Sequence, residues 1–314
     1  MKSLFDIQVN GFAGVDFQQP DLCGEDLRRA VDALASHRTQ RFFLTLITDD
    51  YERLALKFRQ IEDLRRQDAV SQQAICGYHL EGPWLSPEAG YCGAHDPAAM
   101  SLPDADAFFR LQDAAGGHIH LLTLAPELPG ASVFIRRVVD SGVAVSIGHS
   151  NAQDDAIEAA IDAGARFCTH LGNGVPQNLH RYNNIIQRLL ARDELTAFFI
   201  PDGIHLPPMV LRNFVRAKPE GKALFTSDCM SAAGAPAGNY NIGRHKVEVG
   251  NDRVVRQPGE SNFAGSALEP DRGVENLQKW LGYSKDRAHR CFSTEIARQF
   301  GITLPTLPTP ENKS

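Results

Sequence analysis

The 314-residue chain lacks the features that mark disulfide-linked, secreted and membrane-spanning proteins. Its six cysteines show no CxxC spacing, and Cys76 and Cys168 fall inside predicted strands, as buried free thiols do. No segment approaches the roughly 18 consecutive apolar residues of a membrane span. The start Met1-Lys2-Ser3 leads into a short strand rather than into the apolar core of a signal peptide. These absences predict a cytoplasmic protein with reduced thiols.

The chain also lacks an excess or a cluster of basic residues. The chain has 32 Lys and Arg against 38 Asp and Glu, a formal net charge of −6, and the charges are spread without a basic block. Neither nucleic acid nor an anionic membrane surface is therefore expected as a partner. Hydrophobic residues make up 43% of the chain, which is ample for a sizeable core.

Strand-like and helix-like patterns alternate along the chain, and this alternation favours a parallel sheet with helices between the strands. The sequence predicts an α/β fold, a (β/α)8 TIM barrel over residues 1–303, with an extended C-terminal tail at 304–314. A long loop at 82–100 and a loop with a strand pair around 246–249 and 253–255 are expected as insertions. Ser150 with Gln153 resembles a capping box for the helix that follows His149. The eight strands are predicted at 4–9, 42–47, 74–80, 118–124, 143–147, 166–169, 196–200 and 223–226.

Residues with metal or acid/base chemistry follow five of these strands directly. Because the carboxyl ends of parallel strands meet at one mouth of a barrel, these side chains are expected to converge there. One Glu and two neutral imidazoles suit Zn²⁺ or a similar divalent ion and leave a position open for water. The sequence therefore predicts a mononuclear metal site with an acid/base group beside it. The five residues are Glu81, His149, His170, His205 and Asp228.

Asp228 and His205 each have more than one interpretation. Asp228 suits a general base, a metal ligand or a cap of the following loop. His205 suits a group that polarises a carbonyl or holds a substrate hydroxyl, with a plain loop histidine as the alternative. Asp202 is interpreted as a turn residue.

A histidine pair elsewhere is interpreted as structural. His118-Ile119-His120 is the only H-x-H in the chain, but it begins a strand and so lies at the rim opposite the mouth. Where a barrel hydrolase could hold an H-x-H, at the end of the first strand, the chain has Gln8-Val9-Asn10. Amides are poor ligands beside imidazoles, so one metal ion is expected rather than two.

Seven short motifs in this order resemble those of the N-acetylglucosamine-6-phosphate deacetylase family of the amidohydrolase superfamily. They cover nearly the whole chain and are specific for the family more than for the substrate. The motifs are Asp6-Ile7-Gln8-Val9-Asn10-Gly11, His79-Leu80-Glu81-Gly82-Pro83-Trp84, Gly148-His149-Ser150-Asn151-Ala152, Thr169-His170-Leu171 with Asn173, Asp202-Gly203-Ile204-His205, Thr226-Ser227-Asp228 with Met230, and Ala264-Gly265-Ser266.

The resemblance implies a hydrolase that removes the N-acetyl group from an amino sugar, N-acetylglucosamine 6-phosphate being the expected substrate. It implies one divalent ion per chain, expected to be Zn²⁺, held by Glu81, His149 and His170, with Asp228 as the catalytic acid/base. It also implies a homodimer in which Arg181 grips the sugar phosphate in the neighbouring subunit. The other residues implied to line the substrate pocket are Ala94, His95, Asn173, Gly174, His205, Ala264 and Gly265.

The sequence also departs from the family pattern. The small β-sandwich that family members build from both chain ends is expected to be absent or rudimentary. The residues at 172–175 and around Arg181 differ from those of the family, so a different N-acyl sugar is an alternative substrate. Two further alternatives are an amidohydrolase acting on a cyclic amide and a non-catalytic sugar-binding barrel. The first would be favoured by an H-x-H after the first strand, and the second by loss of Asp228 or of a ligand.

Overall fold

The computed structural model describes residues 2–258 and 263–307. Eight parallel strands form one sheet in the order β1-β4-β5-β6-β7-β8-β9-β10, which confirms the predicted (β/α)8 barrel. The strands are β1 (Leu4–Val9), β2 (Gly11–Phe12), β3 (Val15–Asp16), β4 (Thr39–Ile47), β5 (Ile75–Glu81), β6 (Ile119–Leu124), β7 (Ala144–Ile147), β8 (Phe167–Cys168), β9 (Thr196–Phe199), β10 (Ala223–Phe225), β11 (Gly238–Ile242), β12 (His245–Val249) and β13 (Val255–Arg256).

The helices lie between the strands and bury one face each against the sheet. In the first of them the buried side chains recur at helical spacing, at Leu27, Ala30, Val31 and Leu34, which is the amphipathic pattern that covers a barrel. The helices are α1 (Gly24–Ser36), α2 (Tyr51–Gln67), α3 (Ala69–Ala74), α4 (Ala105–Ala114), α5 (Ala131–Asp140), α6 (Asp154–Ala163), α7 (Ile185–Leu190), α8 (Pro208–Ala217), α9 (Pro270–Leu281), α10 (Lys285–Cys291) and α11 (Thr294–Gln299), with a 3₁₀ turn at Pro97–Ala99.

An aromatic cluster fills one end of the barrel. Phe300 follows α11, and its ring centroid lies 5.1 Å from that of Phe43 and 5.3 Å from that of Phe167. Phe5 of β1 contacts Phe43 edge to face at 5.1 Å. Edge-to-face and offset contacts of this kind stabilise aromatic cores beyond their burial alone. The cluster closes the barrel interior with apolar side chains and leaves polar chemistry to the other end.

The barrel closes differently at the seam between its first and last strands. Each other neighbouring pair of barrel strands forms a ladder. Among the described residues, β1 meets the last strand segment only beyond the end of β10, where Val9 forms one isolated parallel bridge with Cys229. The backbone N–H of Asn10 donates to the carbonyl of Cys229 at 2.7 Å beside this bridge. Side chains rather than a ladder must therefore hold much of this seam.

The structure departs from the sequence prediction in three places. The short helix α3 precedes β5, and the predicted strand pair at 246–249 and 253–255 is part of a three-stranded sheet, β11-β12-β13. The capping box was wrong: α6 begins at Asp154, and the Ser150 hydroxyl instead donates to Glu127 Oε2 at 2.7 Å. The hydroxyl donates a charge-assisted hydrogen bond to the partly buried carboxylate of Glu127, and this tertiary contact overrides the local motif.

The two ends of the described chain meet. Lys2 and Thr306 form an isolated antiparallel bridge, and the backbone N–H of Ser3 donates to Pro305 at 3.0 Å. Of the tail predicted at 304–314, residues 308–314 lie outside the described part. No helix among the described residues combines the length and apolar character that a bilayer span requires.

Candidate metal centre and active site

Glu81 is the last residue of β5 and lies at the centre of the site. Its side chain is buried, and the Nε2 atoms of His170 and His149 approach the same oxygen, Oε1, at 3.0 and 3.3 Å. The other oxygen, Oε2, accepts a hydrogen bond from Gln8 Nε2 at 3.1 Å. The structure thus brings the three predicted ligands together at the carboxyl ends of three strands.

The ring of His149 is held on several sides. Its Nδ1 lies 2.9 Å from the carbonyl oxygen of Tyr91, which can only accept, so Nδ1 carries the proton and Nε2 is free to bind a metal ion. Two glycines pack on the ring: a Cβ at Gly93 would lie 2.8 Å from His149 Cε1, and a Cβ at Gly174 would lie 2.7 Å from Nδ1. Both glycines also have positive φ, +57° and +63°, which larger residues rarely adopt. These glycines are therefore part of the support of His149.

His95 reaches the same centre from the long loop after β5. Its Nε2 lies 3.7 Å from Glu81 Oε2, and its Nδ1 lies 2.9 Å from the Thr48 hydroxyl. The ligand atoms of Glu81, His95 and His149 all lie within 4.8 Å of one another. His95, which the resemblance assigns to substrate binding, thus lies in this compact group, whereas His170 contacts Glu81 from outside it.

Three site residues have a strained backbone. His149, His170 and Asp228 follow β7, β8 and β10 with φ of +51°, +26° and +50°. Non-glycine residues in such conformations cost about 1–3 kcal/mol each and persist where surrounding structure holds them, often at functional sites. The strain is consistent with side chains that are turned into the mouth directly from the strand ends.

Asp228 is buried beside the centre. Its Oδ1 accepts a hydrogen bond from Asn10 Nδ2 at 2.9 Å. Desolvation by burial raises the pKa of Asp228 to about 7, an effect that His170 opposes and the charge of Glu81 reinforces. A carboxyl group poised in this range can both take and release a proton near neutral pH.

Asp202 and His205 form a unit on the loop after β9. Asp202 accepts hydrogen bonds from the backbone N–H groups of Ile204 and His205 at 2.8 and 2.9 Å, which confirms its turn role. It also contacts His205 Nδ1 at 2.5 Å. Burial alone would raise the pKa of Asp202, but His205 outweighs it and lowers this pKa. The turn therefore orients the imidazole of His205, with its other nitrogen left for a ligand.

The residues around Glu81 fit a divalent metal ion. Burial alone would raise the pKa of Glu81, but the imidazoles of His149 and His170 against its Oε1 hold this pKa well below the ordinary value, so the carboxylate is ionised. No Lys or Arg within the described ranges forms an ion pair with it. A buried anion is costly without a compensating charge, and one carboxylate with imidazole nitrogens is a donor set typical of Zn²⁺.

A cavity of about 580 Å³ opens over this centre. Cys92, Gln177, Leu179, Ile186 and Phe263 line it without having been predicted, since nothing local distinguishes them from other loop or helix residues. Two predicted residues do not line the cavity. Ala264 is buried in a small core with Met230, and Arg181 lies outside the cavity. Its lining includes ten of the predicted residues: Glu81, Ala94, His95, His149, His170, Asn173, Gly174, His205, Asp228 and Gly265.

Arg181 is exposed on a loop held by local hydrogen bonds, and it is not among the residues that line this cavity. His180 Nδ1 accepts a hydrogen bond from the backbone N–H of Asn183 at 3.0 Å, and Asn184 Nδ2 donates to the carbonyl of His180 at 2.9 Å. The guanidinium lies 5.9 Å from the ring centroid of Tyr182, whose side chain is 74% exposed. Arg181 therefore does not reach its own active-site mouth.

The His118-Ile119-His120 segment lies away from the site. His118 contacts Glu62 at 3.2 Å on the outer side of the barrel, and His120 has its ring centroid 5.7 Å from that of Phe43. Neither lines the cavity above Glu81, in agreement with the structural interpretation of the H-x-H.

Comparison with known proteins gives consistent relatives, although no protein-family model matches the chain. The chain is 34% identical over 309 residues to the N-acetylglucosamine-6-phosphate deacetylase of Bos taurus, covering 95% of this chain and 73% of that protein. It is 28% identical over 304 residues to that of Bacillus subtilis (strain 168), covering 96% and 75%. The structure of a variant N-acetyl-D-glucosamine-6-phosphate deacetylase from Mycobacterium smegmatis, in complex with N-acetyl-D-glucosamine-6-phosphate, superposes with a TM-score of 0.85 at 30% identity, covering 96% and 77%.

Proposed function

Because the chain belongs to the N-acetylglucosamine-6-phosphate deacetylase family, we propose that it removes the N-acetyl group from N-acetylglucosamine 6-phosphate, giving acetate and the amine. One observation carries the proposal. A buried Glu81 with imidazoles on its Oε1 stands beside a buried acid, Asp228, and both line one cavity. This pairing is what metal-assisted hydrolysis of an amide requires.

The chemistry divides between the ligands and Asp228. A divalent ion held by Glu81, His149 and His170, for which we propose Zn²⁺, would supply polarisation of the amide carbonyl and acidification of water. Asp228 accepts the proton of the attacking water and returns it to the amine nitrogen as the C–N bond breaks. Asn10 fixes the Asp228 carboxylate for both transfers through its hydrogen bond to Oδ1.

The direct test is a hydrolysis assay with the purified protein. Release of acetate and of free amine is followed with N-acetylglucosamine 6-phosphate, with N-acetylglucosamine and with a cyclic amide. The highest kcat/KM is expected for the 6-phosphate. Absence of turnover on every N-acetyl amino sugar, with the metal ion supplied, would refute the proposed function.

His170 is expected to bind the metal ion and His95 to activate the substrate, so variants of the two histidines should lose different functions. The Nε2 atoms of His149 and His170 converge on Glu81 Oε1, whereas His95 approaches Oε2 at 3.7 Å and is tied to Thr48. Burial lowers the pKa of His95 to about 3, so its imidazole is neutral and suited to donate one hydrogen bond to the developing oxyanion. His170→Ala should lose the metal, and His95→Ala should keep it.

Elemental analysis and kinetics on the two variants check this division. For His95→Ala we expect near-normal metal content and a fall in kcat of about 10²–10³-fold, the range for loss of one oxyanion donor. Metal lost from His95→Ala and retained in His170→Ala would reverse the two roles.

Arg181 is proposed to bind the substrate phosphate across a homodimer interface. It lies outside its own cavity on an exposed loop, and its planar fork matches phosphate oxygens. Arg181→Ala should raise KM for the 6-phosphate strongly and barely change kinetics on the unphosphorylated sugar, because a contact remote from the amide contributes mainly uniform binding.

Sedimentation and a subunit-mixing assay test the contribution in trans. Arg212 is also exposed, but its guanidinium is bound to the carbonyl of Trp280, so Arg212→Ala serves as the matched arginine control. A monomeric active enzyme would exclude the role in trans. Equal wild-type kinetics on the two sugars would exclude a phosphate site.

A further inference from the structure

Asp6 is a fully buried carboxylate that the proposed chemistry does not use. It lies on β1, and Asp6, Gln8 and Asn10, at alternate positions of β1 and of the residue that follows it, are all buried. Gln8 contacts Glu81 and Asn10 contacts Asp228, so two of the three hold a carboxylate of the site. Asp6 precedes these two residues along the chain, and its own side-chain contacts are different.

The contacts of Asp6 run across the barrel seam to the residues just before Asp228. Its Oδ1 accepts a hydrogen bond from the Thr226 hydroxyl, and its Oδ2 accepts one from the backbone N–H of Ser227 at 3.0 Å. Oδ1 also accepts from the backbone N–H of Gln8 at 3.2 Å, within its own strand. The carboxylate is the acceptor in every one of these bonds and so links β1 to the end of β10.

This link matters because the seam has so little other backbone pairing. Among the described residues no ladder joins β1 to β10, and one isolated bridge, from Val9 to Cys229, lies just beyond Asp228. The bridge at Cys229 therefore fixes the chain on the carboxyl side of Asp228. On the amino side, Thr226 and Ser227 are fixed by their hydrogen bonds to Asp6. Between these two anchors the backbone of Asp228 takes the left-handed φ of +50° that turns the side chain into the mouth.

We propose that Asp6 is a positioning residue for the proton-transfer group: by clamping Thr226 and Ser227 it holds Asp228 in its strained conformation. The inference rests on the proposed function, since it assigns Asp228 the proton transfer. Asp6 touches neither the substrate cavity nor the metal ligands. Its effect must therefore appear in kcat rather than in metal content or substrate affinity.

The hydrogen bonds between Asp6 and the residues before Asp228 are best tested by changing the donor Thr226. Asp6→Ala would leave buried donors unpaired and could prevent folding. Thr226→Val is nearly isosteric and removes only the hydroxyl that donates to Asp6, while Thr226→Ser restores it. Tyr78→Phe is the matched control: it also removes one buried hydroxyl–carboxylate bond, Tyr78 to Glu62 at 2.6 Å, but outside the site. Both Thr226→Val and Tyr78→Phe are expected to lower Tm.

Only Thr226→Val is expected to lower kcat, by about 10–100-fold, since small misplacement of a catalytic group has effects of this order. KM and metal content should stay within about twofold of wild type, and Thr226→Ser should recover most of the rate. Wild-type kcat in a folded Thr226→Val, or an equal loss in Tyr78→Phe, would overturn the proposal. The assay uses whichever N-acyl amino sugar the wild type hydrolyses. If the wild type hydrolyses none, the proposed function is wrong, and the role of Asp6 is not the cause of the failure.

A double-mutant comparison separates positioning from a general structural role. If the clamp acts through Asp228, adding Thr226→Val to Asp228→Asn should leave the residual rate of that variant unchanged, because the group being positioned is already disabled. An additional loss equal to that of Thr226→Val alone would show that the clamp acts elsewhere, and the assignment to Asp228 would be wrong.

Discussion

Asp228→Asn is expected to lower kcat by about 10²–10⁴-fold, the usual contribution of a general acid/base group, while the protein keeps its fold and its metal ion. The change is nearly isosteric, and the hydrogen bond from Asn10 Nδ2 can still be accepted by the amide oxygen. An amide cannot accept the proton of the attacking water, so the chemical step is lost. Steady-state kinetics with elemental analysis of the same preparation measures both quantities.

The pH profile gives a second signature of the same residue. Asp228 must be ionised to accept a proton, so the rate falls as pH drops through its pKa. Burial raises this pKa from 3.8 to about 7, and a divalent cation nearby would lower it again. The acidic limb of the wild-type profile is therefore expected between these two values, and Asp228→Asn should lack it.

A matched control is available in Asp202→Asn. Asp202 is also a buried carboxylate of the mouth, but it holds His205 rather than facing Glu81. This variant should change KM more than kcat and keep the acidic limb. Near-normal turnover of Asp228→Asn would reduce Asp228 to a structural group and leave the proton transfer to another residue.

Much of this site could be predicted because barrel topology converts sequence position into spatial position. Glu81, His149 and His170 are separated by tens of residues, yet each lies at the end of a strand or just after one, and the carboxyl ends of parallel strands meet at one mouth. The same argument placed Asp228 and His205 there and His118 at the opposite rim. The fold follows from alternation of apolar patterns, which the buried faces of the helices reproduce.

What the sequence could not predict depends on contacts between loops. His95 lies on a long loop without a periodic pattern, so only the folded chain shows its Nε2 beside Glu81. Gly93 and Gly174 are 81 positions apart but pack on one imidazole. The left-handed backbone of Asp228 has no local signature, and the residue lies at the seam between the first and last strands, which are far apart along the chain. Propensity and periodicity describe neighbours along the chain and cannot report such contacts.

His149→Ala is expected to have the largest effect, with metal content falling from about one ion per chain to nearly none and hydrolysis falling with it. His149 presents Nε2 to Glu81 Oε1, and Tyr91, Gly93 and Gly174 fix the ring. Even partners that only orient a metal ligand contribute about 10–100-fold in affinity, so loss of the ligand should exceed that range. Elemental analysis of dialysed protein measures the loss.

Thermal unfolding provides a readout that does not depend on turnover. A ligand that binds only the folded state stabilises it in proportion to the logarithm of its concentration over Kd. Added Zn²⁺ should therefore raise Tm of the metal-depleted wild type but not that of His149→Ala. His118→Ala is the control, because His118 also faces a carboxylate, Glu62 at 3.2 Å, yet lies outside the centre. It should keep wild-type metal content and the Zn²⁺-dependent rise. A single centre is expected because Gln8 and Asn10 occupy the positions where a second ion would need imidazoles. Two tightly bound ions per wild-type chain would contradict it. Unchanged metal content in His149→Ala would show that His149 is not a ligand.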